Sequence, residues 1–276
     1  MRIKQLTDII DQGVSLKLVA EAYTEIASSR LKQIRALVEK NRYFLNELSI
    51  VYQTVKKIAV QKKILPIRNN KTLSILLTSN YHFYGDLNAR LITFFLDSMK
   101  SNPTDQMIIG KTALEWIDTI EYKENYIRLF FDKDYPSNQE LNNLVSKTKE
   151  YSQVLVFYSE FQSVMVQNPT VRDVTQTKLS VNQTAKADEV FIFEPEMGKI
   201  LDFFETQVTN LLLQQTFLES ELSRTAARII TMDQAQTNAD TYITRERQLL
   251  NAAKQAIINT KLLETQAVLM SLKSSM

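Results

Sequence analysis

The chain has 276 residues, 44% hydrophobic and 23% charged, a balance that is ordinary for a globular protein of one large domain or two modest ones. A net charge of +2 gives no bulk field that would attract nucleic acid, so we expect no nucleic-acid partner. With no cysteine, one histidine and four widely separated glycines, the chain has neither the residues of a disulfide or zinc site nor a glycine-rich phosphate loop.

These absences lead us to expect no catalytic residue, no cofactor and no metal site. No apolar run reaches the roughly 18 residues that suggest a membrane span. The N-terminal sequence MRIKQLTDIIDQ lacks the apolar segment of a signal peptide. We therefore expect a cytoplasmic protein that reaches a membrane only as a peripheral part of a complex.

Two long stretches at the chain ends lack both proline and glycine, 14–65 and 199–276. As helices they would span roughly 75 Å and 115 Å. Both keep apolar residues at heptad spacing. In the first stretch the seam is read as Leu16, Val19, Tyr23, Ile26, Arg30, Gln33 and Leu37, with a restart at Phe44, Leu48, Val51, Val55 and Ile58. In the second it starts at Leu201 and is followed through Leu218, Ile229, Met232, Gln236, Ile243 and Glu246 to Ala267.

A period of 3.5 residues kept over this length predicts a left-handed supercoil. The placement at the two ends favours an antiparallel coiled coil of the N- and C-terminal helices. Two unrelated helices packed on a domain are the alternative.

The segment between the helices contains all five prolines and has a different pattern. Its short β-rich apolar runs are LSILLTS (73–79), QMIIG (106–110), YIRLFF (126–131) and VLVFYS (154–159), with helical patterns near 86–100, 111–119 and 138–151. Strands that alternate with helices predict an α/β layer with a mainly parallel sheet. Residues 160–190 are interpreted as a final strand and a mobile loop. We therefore divide the chain into 1–65, an inserted domain at 66–195, and 196–276.

The C-terminal seam weakens along the chain, because Gln236, Glu246, Thr260 and Glu264 occupy seam positions. Polar seam residues cost stability, and small ones bury little apolar area. A coiled coil of this kind is poorly self-sufficient. We interpret it as a helix pair that other proteins surround.

Several stretches resemble the gamma subunit of F-type rotary ATP synthases. The C-terminal helix is similar to that family at Glu219, Ser223, Ala227, Arg228, Ile229, Met232, Ala235, Asn238 and Ala239, then at Asn251, Lys254, Gln255, Ala256, Ile258, Leu262 and Glu264. The N-terminal helix (19–30), LTSNYHFYGDLN (77–88), MIIGKTALEWI (107–117) and FEPEMGKILDFF (193–204) resemble other family segments. They follow the family's order over nearly the whole chain.

The resemblance implies an α+β fold, with a long antiparallel coiled coil and an inserted α/β domain of the Rossmann-like kind. It implies a non-catalytic central shaft in a ring of three alpha and three beta ATPase subunits, where ATP hydrolysis or synthesis is coupled to rotation. An epsilon-like subunit and a membrane rotor ring are the further partners.

The resemblance also implies subunit contacts at Tyr23, Arg30, Arg228, Met232, Lys254 and Gln255. For Arg228 and its neighbour Arg224, contact with acidic loops of the beta subunits stands against an ordinary solvated helix face. For Tyr23 and Met232, packing inside the coiled coil is an equal alternative. Lys254 and Gln255 would hold a beta-subunit loop by hydrogen bonds, or be plain surface residues.

Two other functions stay open at this point. One is the shaft of a diverged F-type-like ATPase that drives a motility or surface machine instead of proton transport. The other is a coiled-coil tether that carries an α/β binding domain and belongs to no motor.

Overall fold

The computed structural model describes residues 3–61, 69–120, 122–175 and 196–274. In chain order the elements are α1 (Ile3–Gln61), β1 (Asn69–Leu77), α2 (Leu87–Ser101), β2 (Asp105–Ile109), α3 (Lys111–Thr119), β3 (Tyr126–Leu129), α4 (Asn138–Thr148), β4 (Tyr151–Phe161), β5 (Gln167–Asp173) and α5 (Met197–Ser274). In chain order, two long terminal helices flank a segment of alternating strands and helices. This arrangement confirms the predicted fold class. The predicted mobile loop falls mostly at 176–190, outside the described residues.

The five strands form one sheet in the order β3-β2-β1-β4-β5. The pairs β1 with β2, β1 with β4, and β2 with β3 are parallel. A helix connects each of the first three strands to the next, since parallel strands need such crossover connections. Only β5 is antiparallel; it follows β4 through a hairpin in which Gln162 N donates to Val166 O at 3.2 Å. The prediction of a mainly parallel sheet is confirmed.

Both faces of the sheet are covered, because successive side chains on a strand point to opposite sides. Leu76, Ile108 and Phe157 pack with α2 and α3 on one face. Ile75 and Val156 lie on the other face, in a core that also takes residues of α1, α4 and α5. The inserted strands and helices therefore build their second core layer with the long helices.

The chain divides into two compact units, Met1–Ile26 with Ile229–Met276, and Ala27–Arg228. In the first unit α1 and α5 pair antiparallel, with Lys17 Nζ 2.8 Å from Asp240 Oδ1 and Gln236 Nε2 donating to Thr24 Oγ1 at 2.9 Å. In the second unit Asn41 Nδ2 donates to Gln215 Oε1 at 2.8 Å. The division into domains at residues 65 and 195 stays a prediction.

The heptad predicted for α1 has the right period but, from Leu16 to Leu37, the wrong phase; in the restart, Val55 is buried and Leu48 and Ile58 are half-buried, whereas Phe44 and Val51 are exposed. Leu16, Ile26 and Leu37 are 68%, 62% and 51% exposed, and Val19 and Tyr23 are exposed as well. The buried residues of this part of α1 are Leu6, Ile10, Ala20, Ala27, Ile34 and Val38. The seam thus runs one residue later over most of the helix, which is a rotation of about 100°.

The reason for this phase is the close approach of the two helices. A Cβ atom on Gly13 would lie 2.9 Å from Cγ1 of Ile243, so the backbones meet where α1 has no side chain. Small residues, including Ala20 and Ala27, continue the seam. Leu16, Val19 and Ile26 face away from α5. At this contact the size of the residues therefore overrides the apolar stripe that the sequence suggests.

The seam predicted for α5 is correct from Leu201 to Ala253, where its positions are buried or half-buried. Beyond Ala253 every residue to Met270 is exposed, including the predicted seam residues Ile257 and Glu264. Because α1 runs antiparallel and places Gly13 beside Ile243, the first residues of α1 come level with this part of α5. The remaining length of α5 has no partner helix among the described residues.

The corrected phase predicts opposite effects for two neighbours on α1. Ile34→Ala should lower the free energy of unfolding by about 2–5 kcal/mol, because it empties a buried site between α1 and α5. Leu37→Ala should stay within about 0.5 kcal/mol of wild type, since Leu37 is exposed. Urea unfolding of both variants in dilute solution measures the difference. A larger loss for Leu37→Ala than for Ile34→Ala would restore the phase read from the sequence.

Candidate functional site

From residue 212 to 227 every position of α5 except Gln214 is buried. A helix that is enclosed on all sides is normally apolar. This stretch instead contains Glu219, Glu221 and Arg224, with 5%, 7% and 1% exposure. We call these three residues and their partners the charge cluster; the partners are Arg30 and Arg42 of α1, Asp134, Tyr158 of β4 and Arg172 of β5.

Glu219 is held by groups from several elements. Its Oε2 atom lies 2.8 Å from the Arg172 guanidinium and accepts a hydrogen bond from the Tyr158 hydroxyl at 2.9 Å. Its Oε1 atom accepts from Gln215 Nε2 at 2.7 Å and lies 3.4 Å from Arg42. Burial pushes the pKa of Glu219 upward, but Arg172 and these hydrogen bonds outweigh it and hold the pKa below its ordinary value. The carboxylate therefore stays charged inside the protein.

Glu221 and Arg224 form a second buried pair on the same helix, with Arg224 Nη2 3.0 Å from Glu221 Oε2. Arg224 also donates to Ser220 Oγ at 3.0 Å and to the carbonyl of Asp134 at 3.2 Å. From α1, Arg30 reaches the other oxygen of Glu221 at 2.8 Å. Although burial acts to raise it, the pKa of Glu221 is lowered, chiefly by Arg224 and Arg30.

The loop after β1 joins this cluster through Asp134. The backbone N–H of Asn80 donates to Asp134 Oδ1 at 2.6 Å, and the Tyr84 hydroxyl donates to Oδ2 at 3.0 Å. Arg228 in turn donates to the Tyr84 hydroxyl at 2.7 Å, and its guanidinium lies 4.6 Å from the centre of the Tyr84 ring. The segment singled out in the sequence as LTSNYHFYGDLN therefore docks the α/β layer on α5.

The predicted contact residues fall into different surroundings. Lys254, Gln255, Arg30 and Tyr23 are exposed, whereas Met232 is buried with 7% exposure. Arg30 is a member of the charge cluster, and Arg228 is linked to it through Tyr84. The other four belong to the unit that contains the ends of both helices. For Met232, burial matches the packing alternative.

Arg224 corrects the sequence interpretation, which placed it on a solvated face or against another subunit. It is a fully buried ion-pair partner within the chain, and sequence reasoning missed the cluster around it. A signal was present. Glu221 stands three residues before Arg224, at a spacing that pairs side chains on a helix. The small residues Ser220, Ser223 and Ala227 around them are typical of a helix side that other elements cover.

In the part of the chain that the structure describes, no three His, Cys, Asp or Glu side chains come together in a way that would hold a metal ion. Nor do the described helices include one with the length and apolar character to cross a bilayer.

Comparison with known proteins gives a consistent result over the whole length. A family model described as ATP synthase matches residues 2–268. The ATP synthase gamma chains of Geobacter metallireducens and Rickettsia akari are 25% and 24% identical, covering 91% and 95% of this chain and 89% and 96% of theirs. That of Chlorobaculum tepidum is 26% identical, covering 97% of this chain and 95% of its own.

Two cryo-EM structures of mitochondrial ATP synthases share the fold. The Tetrahymena thermophila central stalk with c-ring matches with a TM-score of 0.60 and 16% identity, over 79% of this chain and 99% of that chain. The Euglena gracilis OSCP/F1/c-ring structure matches with a TM-score of 0.56 and 14% identity, over 90% of this chain and 96% of that chain. With the family match, these findings show that the chain belongs to the ATP synthase gamma family as a divergent member.

The charge cluster predicts a pH-dependent loss of stability for Glu221→Gln. Near neutral pH the change should cost about 3 kcal/mol of unfolding free energy, because buried Arg224 loses its nearest counter-charge and keeps only Asp134 at 3.8 Å. The folded-state pKa of Glu221 lies below the ordinary 4.5, so its contribution is present above pH 4.5 and lost as the pH falls below it. Urea unfolding of wild type and variant should therefore converge in acid.

Glu39→Gln is the matched control, since Glu39 forms an exposed pair with Arg35. Its effect should stay within about 0.5 kcal/mol. A difference between wild type and Glu221→Gln that does not depend on pH would mean that the carboxylate charge does not stabilise the fold.

Proposed function

We propose that the chain is the non-catalytic central shaft of an F-type ATP synthase or ATPase. In this proposal it turns within a ring of three alpha and three beta subunits and couples ATP hydrolysis or synthesis there to rotation. The observation that carries it is the family match over residues 2–268, which includes both helices of the coiled coil as well as the inserted layer. A tether outside any motor is not favoured by relatives that match over most of their own length.

The exposed end of α5 supports this role. From residue 254 to 270 it is exposed on every side and carries large apolar residues, among them Ile257, Leu262, Leu263 and Leu269 with 44–66% exposure. Exposed apolar area of this kind mostly marks an interaction site. We propose that the inner wall of the ring surrounds this end.

The charge cluster supplies the mechanical connection in the proposal. Torque on a shaft must pass from the coiled coil to the inserted domain without slippage between elements. Glu219 joins Arg42 of α1 to Arg172 of β5, and Arg224 joins α5 to Asp134. These pairs tie α1, α5 and the α/β layer at one level, so the helices in this unit turn as one body with the layer.

For the foot of the shaft we propose a membrane rotor ring and an epsilon-like subunit, which would make the chain peripheral to the membrane. The Tetrahymena structure contains a central stalk with a c-ring, and the Euglena structure contains OSCP, F1 and a c-ring. No specific observation favours a motility or surface machine over this arrangement.

The contact proposed to carry torque lies at Lys254 and Gln255, which are exposed on α5. A hydrogen bond to a charged group contributes about 1.5–3 kcal/mol. The double change to Ala should therefore lower the ATPase rate or the torque of the reconstituted complex by about tenfold and leave assembly intact. Rotation of a bead under load, with ATP turnover measured in parallel, tests it. Exposed Lys147→Ala on α4 is the control. If the double variant turns over ATP like wild type and also rotates the bead under the same load, Lys254 and Gln255 are ordinary surface residues and the proposed contact is wrong.

The non-catalytic role predicts that the purified chain neither binds nor hydrolyses ATP. Its glycines, at positions 13, 85, 110 and 198, form no cluster through which backbone amides would hold phosphates. Titration calorimetry with Mg-ATP should show no heat of binding. A saturable signal at a 1:1 ratio would contradict the proposal that nucleotide chemistry belongs to other subunits.

A further inference from the structure

One face of α1 in the larger unit is apolar and open to solvent. Its large members are Leu37, Tyr43, Phe44, Ile50 and Val51, with 49–68% exposure. Ala36, Lys40 and Glu47 complete the face and are exposed too. We call these eight residues the outer face of α1. At about 100° per residue its centre points roughly 130° away from the seam with α5.

The outer face repeats with the period of a coiled coil. Leu37, Phe44 and Val51 are seven residues apart, as are Tyr43 and Ile50. Positions with this spacing form a straight stripe that fits another helix. Helix α1 therefore carries two heptad stripes, one covered by α5 and one covered by nothing among the described residues.

The charges of the outer face indicate what fits on it. Lys40 and Glu47 also lie seven residues apart, in the middle of the stripe, and neither forms an ion pair with any described residue. The positions of the eight residues are symmetric about the midpoint between residues 43 and 44. For an antiparallel helix of the same sequence centred between residues 43 and 44, the facing pairs are Lys40 with Glu47, Tyr43 with Phe44, Leu37 with Ile50, and Ala36 with Val51.

Each of these pairs joins side chains that attract or pack together, and each occurs twice in a twofold dimer, once from each copy. The ion pairs occur twice, once on each side of the centre, and aromatic rings meet aromatic rings between them. An interface whose residues pair reciprocally is the pattern of a twofold dimer. What favours a second copy is that the charges and the aromatic residues of this stripe complement themselves: Lys40 and Glu47 have opposite signs, and Tyr43 and Phe44 fall at the centre between them.

We propose that the outer face of α1 is a self-association surface: a second copy of this chain lies antiparallel on it, with Lys40 of each copy opposite Glu47 of the other. The contact spans about 16 residues of each helix, or roughly 24 Å, and involves a single helix from each copy. The dimer is therefore a weak state of the free chain. It withdraws the apolar face from water when no other protein covers it, and it does not depend on the shaft function.

Sedimentation velocity of the full chain over a range of concentrations tests the proposal. Wild type should shift from monomer to dimer as concentration rises. Lys40→Glu and Glu47→Lys should each weaken the dimer by about tenfold, because both reciprocal pairs become repulsive. The double variant Lys40→Glu/Glu47→Lys should restore it, since it only inverts each pair. Phe44→Asp should abolish it.

Lys4→Glu, an exposed charge reversal outside this face, is the control and should leave the dimer unchanged. Circular dichroism checks that the variants remain helical. A chain that stays monomeric at all concentrations overturns the proposal. So does a double variant that fails to restore association, or a dimer that survives Phe44→Asp. If Phe44→Asp impairs only binding to other subunits, the face belongs to one of them and the proposal is wrong.

Discussion

The pairing of charges buried along α5 is the constraint on which the larger unit depends. Around residues 212–227 this helix is enclosed by α1, the sheet and the loop residue Asp134. Glu219 and Glu221 must find partners there, because an uncompensated buried charge is strongly destabilising. Arginines from α1, β5 and α5 itself meet that need at 2.8–3.4 Å. Apolar residues of similar size would often give comparable stability, but once these charges are present each must face its partner, which restricts how α1, β5 and α5 can lie against one another.

A second constraint acts between the two helices in the smaller unit. Gly13 and Ala20 of α1 let the backbones come close but bury little apolar area. Pairing there relies partly on polar contacts, such as Lys17 with Asp240 and Thr24 with Gln236. Many large apolar residues of both helices, such as Leu16, Ile26 and Leu262, are left on the outer surface. Such a helix pair is less stable by itself but exposes apolar surface that other proteins can bind. This property suits the shaft of a larger assembly.

Arg228, which the family resemblance singles out as a subunit contact, interacts with Tyr84 of the same chain. The resemblance assigned it to contact with another subunit, and here it lies against the Tyr84 ring and hydroxyl. Through Tyr84 it connects to Asp134 and from there to Arg224. The loop after β1, α5 and the charge cluster therefore form one continuous polar network. A ring subunit that displaced Arg228 from Tyr84 would act on this network.

The sequence alone determined the architecture. Residue periods and the placement of proline and glycine depend only on local geometry, so the terminal helices, the alternating strands and helices and the parallel sheet could all be predicted. The tertiary structure decided which stripe of α1 meets α5 and that Arg224 is buried. Side-chain size at a close helix contact overrode the stripe of Leu16 and Ile26, since backbones approach where Gly13 leaves room. Burial of Arg224 depends on Asp134, ninety residues away, and no local pattern reports such a partner.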